Sequence, residues 1–375
     1  LLVILGLAVF WYLLVPIGGA FVIRRSWRLF RHRFEELRRA PGLGYENSRQ
    51  AANRGRRFRF LGDFESVTDA HTLWVRNADL TIPVQLVGAR IYVLPSAEGY
   101  QEDDGFAMDG LAPVRVRWDT LATISEGVRV YVGGRLGEAA GHPVFVSDPG
   151  EPLLIILFDG PDRSLLVRTV QAGRQRNEYW NPATPYALAL GIFSQLIMAV
   201  TYLGRPAFRL TVVVALIAVF GPLFPLMPPG VLLTALYRRL WRRARRCRSY
   251  RDLVRLPVSS VAASNEDEGY GYKEVPMAEA LAADPRPPLL PPDGCRRNRG
   301  VWRWYGTPGA GSAYPKEPQD PMAAWALVPG DPVELARSFS VAARWLEAGS
   351  MALLLAGIAV NCAFVLAAIR LWLVV

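Results

Sequence analysis

The amino-acid sequence predicts an α-helical membrane protein with four transmembrane helices and an inserted all-β soluble domain, a small sandwich or barrel. Three observations predict this: four long apolar stretches, two dense arginine clusters beside them, and a series of short strand-like segments between the first two stretches. The apolar stretches are residues 1–23, 184–203, 210–237 and 348–369. Each is long enough to cross a hydrocarbon core of ~30 Å at ~1.5 Å rise per residue. Backbone polar groups inside a bilayer must be satisfied within the segment, so all four are expected to be helices.

The first stretch is longer than a signal-peptide core and lacks a small-residue cleavage site, so it is expected to be a signal anchor. Residues 24–57 form a basic juxtamembrane segment. Trp27, Phe30, Phe34 and Leu37 recur at helical spacing, with arginines filling the opposite face. Pro41 and Gly42 stop this helix, and a polar linker follows.

Residues 58–181 are expected to be the β domain. Short runs rich in Val, Ile and aromatics alternate with turn residues, nine in all between residues 58 and 170. The run 153–158 is apolar throughout, as a central strand would be. The run 165–170 is expected to be the last strand, entered through a hairpin turn at 159–162. Residues 99–110 carry Glu102, Asp103, Asp104 and Asp109 and are expected to be an exposed acidic loop.

The third span, 210–237, contains Gly221, Pro222, Pro225, Pro228, Pro229 and Gly230. Proline removes a helix donor and clashes with the preceding turn, so a break is expected near 228–230. Residues 238–256 are then an arginine-rich interfacial helix. Residues 257–330, rich in Pro and Gly, are expected to be an extended cytoplasmic loop, with polyproline II at 284–292. Residues 331–347 lead into the fourth span as a helix, with Asp331 as N-cap, Pro332 in the first turn and Glu334 three residues on.

The net charge of +10 is concentrated. Residues 24–59 carry a local +9 and residues 238–255 a local +8, so the remainder is acidic. Because both patches abut spans, they are read as binding anionic lipid headgroups and not nucleic acid. The candidate headgroup residues are Arg24, Arg25, Arg28, Arg238, Arg239, Arg242, Arg243, Arg245 and Arg246. By the positive-inside rule both termini lie outside and the β domain and Pro-rich loop lie inside. Arg370 is the dissenting charge and is expected to snorkel. Lysine occurs only at Lys273 and Lys316, a bias typical of a GC-rich bacterial genome and hence of an inner-membrane protein.

Chemistry-bearing patterns are sparse. Neither lysine follows a phosphate-binding glycine loop. Gly133, Gly134 and Gly137 lack the dinucleotide spacing and are read as a turn. Ser312 misses the nucleophile-elbow pattern. His32, His71 and His142 form no ligand set, and Cys247, Cys295 and Cys362 form no metal or disulfide pattern. Cys247 lies between Arg246 and Arg248, a setting that could lower its thiol pKa, but an incidental cysteine in a basic helix is the preferred reading. No cofactor, metal site or catalytic residue is predicted.

Gln195 and Asn361 are polar residues mid-way along spans, and both are expected to bond to neighbouring helices. Asn361→Leu is expected to cost little, because the polar burial and its bond would vanish together. Ala348, Ala352 and Ala356, with Ala359, Ala363 and Ala367, are expected to form close-packing stripes. Pro288, Pro291, Trp302 and Trp304 are candidate contacts for a protein partner.

A span, a β domain and a second span resemble, in topology alone, membrane-anchored ubiquitin ligases of the GIDE type. That family carries a C-terminal RING finger, which three scattered cysteines cannot build, so no residue role transfers. The expected function is a non-enzymatic scaffold, assembly factor or accessory subunit of a membrane complex. The alternatives are a transporter or channel component and, third, a membrane-bound enzyme.

Overall fold

The computed structural model describes residues 1–374 except 70, 97–112, 120–126, 173, 175–177, 229, 263–268, 289, 291–299 and 310–313, with side chains to residue 368. The expected acidic loop 99–110, Pro291, Cys295, Ser312 and the Arg370 side chain lie outside the described residues. In chain order the elements are α1 (Leu2–Val9), α2 (Val15–Arg38), α3 (Tyr45–Arg49), β1 (Arg57–Thr68), β2 (Thr72–Arg76), β3 (Thr81–Gln85), β4 (Arg90–Val93), β5 (Val114–Val116), β6 (Arg129–Ala139), β7 (His142–Val146), β8 (Leu154–Phe158), α4 (Asp162–Gln171), α5 (Ala183–Leu203), α6 (Arg209–Phe220), α7 (Gly230–Val261), β9 (Gly271–Pro276), α8 (Met277–Ala282), β10 (Val301–Gly306), β11 (Ala326–Pro329) and α9 (Pro332–Val374). Two compact units result. One comprises Leu1–Arg28, Asn177–Cys247 and Ser340–Val375, the other Leu29–Arg176 and Arg248–Phe339.

The first unit is helical. Four of the described stretches are long and apolar enough to cross a membrane: Leu2–Arg38, Ala183–Leu203, Pro206–Leu226 and Pro332–Ala368. This is the helical content of a membrane protein. A π-helical turn, Phe10–Leu14, joins α1 to α2. Ile4, Ala199, Val212 and Ala215 form a small buried cluster. Close approach, more than hydrophobicity, holds helices together in lipid. Gly191 shows this: a Cβ there would stand 2.3 Å from the Tyr12 ring.

The third span breaks earlier and over a longer stretch than expected. Helix α6 ends at Phe220, a 3-10 helix runs Gly221–Leu226, and α7 begins at Gly230. Pro222 and Pro225 withhold two helix donors, which ends the α-helical ladder before Pro228 is reached. The alanine stripes of α9 are exposed, contrary to expectation. Its buried side is Ala343, Ser350, Gly357 and Asn361. Gly230 sets the approach there, since a Cβ on it would stand 2.9 Å from the Gly357 carbonyl oxygen.

The second unit is built on a closed barrel. β1 pairs with β2, β2 with β3, β3 in parallel with β7, β7 with β6, and β6 back with β1. Three consecutive hairpin strands followed by a fourth returning beside the first make a Greek key. With β7 closing it, this is a closed five-stranded Greek-key barrel. One edge of β6 serves two partners, β8 through Arg129–Gly133 and β7 through Arg135–Ala139, so β8, β4 and β5 extend the sheet. Alternating burial along β1 and β2 points Phe58, Phe60, Leu73 and Val75 into the core. β8 is buried throughout, as its sequence implies.

Three expectations within this unit need correction. Gly133, Gly134 and Gly137 lie inside β6, not in a turn. A Cβ on Gly133 would stand 2.9 Å from Leu37 of α2, so the glycine lets that helix lie against the sheet. Phe30, Phe34 and Leu37 are buried there as expected, Phe30 on Tyr92 and Phe34 on Tyr131. The run 165–170 is helical, within α4, and residues 159–162 are a strand-to-helix connection. Leu165, Leu166, Arg168 and Thr169 are buried, one face of a helix, and a short apolar run does not separate the two periods.

Finally, 257–330 is not merely an extended loop. It contains the antiparallel sheet β11-β10-β9. Two small cores flank it, one with Val254, Tyr270 and Tyr305, the other with Val275, Trp302 and Trp304.

Candidate functional site

The features with chemical character in the helical unit gather around the broken third span and the start of α7. The break exposes backbone groups that a bilayer cannot satisfy. Two side chains satisfy them. Asn361 Nδ2 donates to the carbonyls of Phe224 and Met227, the latter at 2.9 Å. Its Oδ1 accepts the Gly230 N–H at 3.2 Å. Thr234 Oγ1 donates to the Pro225 carbonyl at 2.6 Å. Gly230 permits this arrangement, because a Cβ there would stand 2.2 Å from Asn361 Nδ2.

Gln195 is also buried, and its Nε2 donates to the Ile4 carbonyl at 2.9 Å. Its Oε1 is buried without a hydrogen-bond partner among the described residues. Both polar residues of the candidate spans thus bond to backbone of neighbouring segments. They are not brought to a common site.

Beyond the break, α7 turns basic. Val231, Thr234, Ala235, Arg238, Arg239 and Arg242 fall at helical spacing, so they share one face. With Leu226 they line a pocket of about 230 Å³. Of the proposed headgroup residues, Arg25, Arg28, Arg238, Arg239, Arg242, Arg243 and Arg246 are exposed. Arg24 is half-buried and bonds Glu178 at 2.8 Å through Nε.

Arg245 departs from the expectation. It is 5% exposed, lies over the Trp241 ring at 4.3 Å and approaches Glu178 at 3.6 Å. A guanidinium held between an indole and a carboxylate does not face lipid headgroups. Nothing in the spacing of the arginines separated it from its neighbours. The signal was Trp241 one turn before it, the partner that a stacked arginine needs.

Compared with known proteins, the chain matches no family model, no curated protein and no solved structure.

The candidate partner contacts resolve differently. Trp302 and Trp304 are 4% and 2% exposed, in the core beneath β10. The cross-strand pattern of an antiparallel sheet hides them, and a single short aromatic run could not reveal its partner strands. Pro288 is exposed, and its carbonyl accepts the Leu327 N–H while Leu290 N–H donates to the Leu327 carbonyl. The proline segment therefore covers the free edge of β11.

The remaining chemistry is sparse. Among the described residues no three His, Cys, Asp or Glu side chains cluster as metal ligands. His71 lies at 4.7 Å from the Trp118 ring, His32 at 3.6 Å from Glu36, and His142 opens β7. Burial pushes the Cys247 thiol up, against a smaller opposing pull from Arg243. Desolvation of the thiolate outweighs the neighbouring charge, which speaks against an activated thiol and agrees with the preferred reading of an incidental cysteine.

Proposed function

We propose that this chain is a non-enzymatic scaffold, assembly factor or accessory subunit of a membrane complex. In this reading it is a multi-pass protein of a bacterial inner membrane with its barrel and three-stranded sheet on the cytoplasmic side. Anionic headgroups fix it through the exposed arginines, and a protein partner binds the soluble unit. The observation that supports the reading is Asn361. Its amide is used on the broken third span itself, through Phe224, Met227 and Gly230, which leaves it poorly placed to handle a passing solute. A small closed barrel supports no particular function, since folds of this kind host many.

One observation favours the transporter reading. The buried Oε1 of Gln195 has no hydrogen-bond partner among the described residues, and a buried orphan of this kind is a place for a water or a polar ligand. Reconstitution separates the two. A scaffold leaves the solute and ion permeability of proteoliposomes at the level of empty vesicles, and it retains a partner at fixed stoichiometry through mild detergents of different type. Protein-dependent flux that Gln195→Leu abolishes would replace the scaffold with a transporter.

Sidedness is tested separately. In a chain with its native cysteines replaced by Ser, Ala78→Cys places a thiol in the exposed β2–β3 turn. An impermeant maleimide is expected to label it only after permeabilisation. Labelling in intact cells would invert the topology.

A further inference from the structure

The pocket at the start of α7 has a chemical polarity along its length. At one end are Leu226, Val231 and Ala235; at the other are Arg238, Arg239 and Arg242. Leu226 is the last residue of a stretch apolar enough to cross a membrane, so the apolar end begins where that span ends. From Val231 to Arg242 the helix rises roughly 16 Å at ~1.5 Å per residue. Thr234 lies between the two ends, but its hydroxyl is already bonded to the Pro225 carbonyl. The floor therefore offers no free hydroxyl to a ligand. Selectivity has to come from apolar contact at one end and cationic donors at the other.

We infer that this pocket is a discrete site for one anionic phospholipid. Its phosphate sits among Arg238, Arg239 and Arg242, and the upper part of an acyl chain lies on Leu226, Val231 and Ala235. Guanidinium groups match phosphate oxygens with forked donors, which suits them to this role better than a point charge. The site deepens the headgroup reading above and rests on it. It differs from that reading in predicting a countable lipid and an unequal contribution of the arginines. Arg243 and Arg246 are also exposed on α7, in the next turn, yet they do not line the pocket.

The test is native mass spectrometry of the full chain in mild detergent, titrated with phosphatidylglycerol, phosphatidylcholine or inorganic phosphate. One phosphatidylglycerol is expected to be retained per chain, with at least tenfold preference over phosphatidylcholine. Arg238→Gln/Arg239→Gln/Arg242→Gln is expected to weaken retention at least tenfold, and Arg243→Gln/Arg246→Gln less than twofold. Ala235→Phe fills the apolar end without altering charge. Ala235 is exposed, so the larger ring is tolerated, and it is expected to weaken retention comparably.

Equal losses from the two arginine sets would leave a diffuse headgroup surface and overturn the site alone. No loss from either set would overturn both readings. Displacement of the lipid by inorganic phosphate, or indifference to Ala235→Phe, would make the ligand a soluble phosphate compound and overturn the lipid assignment.

Discussion

Asn361 shows how a single amide in a span acquires a role that its position alone does not reveal. The sequence places one polar group among apolar neighbours, and a small cost for Asn361→Leu follows if its partner is another side chain. Its partners are instead backbone groups of the proline break, which no substitution at 361 removes. A buried backbone group left unpaired costs about 1–3 kcal/mol. That exceeds the ~0.6 kcal/mol typical of an interhelical bond in lipid, so Asn361→Leu is expected to lower stability measurably. Asn361→Asp is worse, because a carboxylate would face the Phe224 and Met227 carbonyls that the amide now serves. Thermal melting in detergent checks both, and a parent-like melt for Asn361→Leu would mean that the break is satisfied by other means. Arg245 carries the complementary lesson: position among arginines suggested lipid, while burial beside Trp241 and Glu178 gives it an internal role.

At the scale of elements, the barrel turns on a glycine. β1 pairs with β6 through Arg57–Asp63 and with β2 through Asp63–Thr68, so the strand changes neighbours at Asp63. A register shift between Phe64 and Ser66 follows immediately. Gly62 occupies the corner, where a Cβ would stand 2.4 Å from the Arg76 carbonyl oxygen. Backbone cannot rotate away as a side chain can, so Gly62→Ala is expected to destabilise the barrel unit by about 1–3 kcal/mol. Gly55→Ala is not a fair control, because its φ of 81° is itself strained for alanine. Gly42→Ala is, since nothing lies within 4 Å of its Cβ position. Equal melting of Gly62→Ala and Gly42→Ala would remove the corner from the account.

The same elements mark what sequence could and could not reveal. The spans, the helical face of Phe30, Phe34 and Leu37, and the strands β2, β3 and β8 follow from periodicity. Closure of the barrel does not, because β1–β6 and β3–β7 are pairings distant in sequence. Nor do β9–β11, whose partners are separated by stretches without periodicity. The pocket on α7 is half legible: its arginines stand out in the sequence as candidate headgroup ligands, but its apolar end needs the geometry of the break.

At the scale of the molecule, two arginines tie the segment just before β11 to the rest of the second unit, Arg59 from the barrel and Arg38 from α2. Arg59, on β1, forms a forked pair with Asp320, both bonds at 2.6 Å, and donates a third bond to the Ala40 carbonyl. Arg38, at the end of α2, bonds Glu35, Ser259, Ser260 and the Met322 carbonyl. Asp320 also accepts the Met322 N–H, so one carboxylate orders its own turn and the barrel contact together. The Arg59 and Asp320 side chains are 14% and 33% exposed, between a surface pair and a buried one. A surface pair contributes ~0–1 kcal/mol, and breaking a buried one costs ~3–5 kcal/mol. Asp320→Asn is therefore expected to cost roughly 1–3 kcal/mol after discounting for solvent. It is also expected to expose the β9–β11 region to limited proteolysis before the barrel is cut. Glu138→Gln breaks the more exposed pair with Arg54, where the carboxylate is 52% exposed, and is expected to do neither. If the two variants melt and digest alike, apolar packing around Tyr305 and Val254 holds the sheet in place, and the forked pair only aligns it.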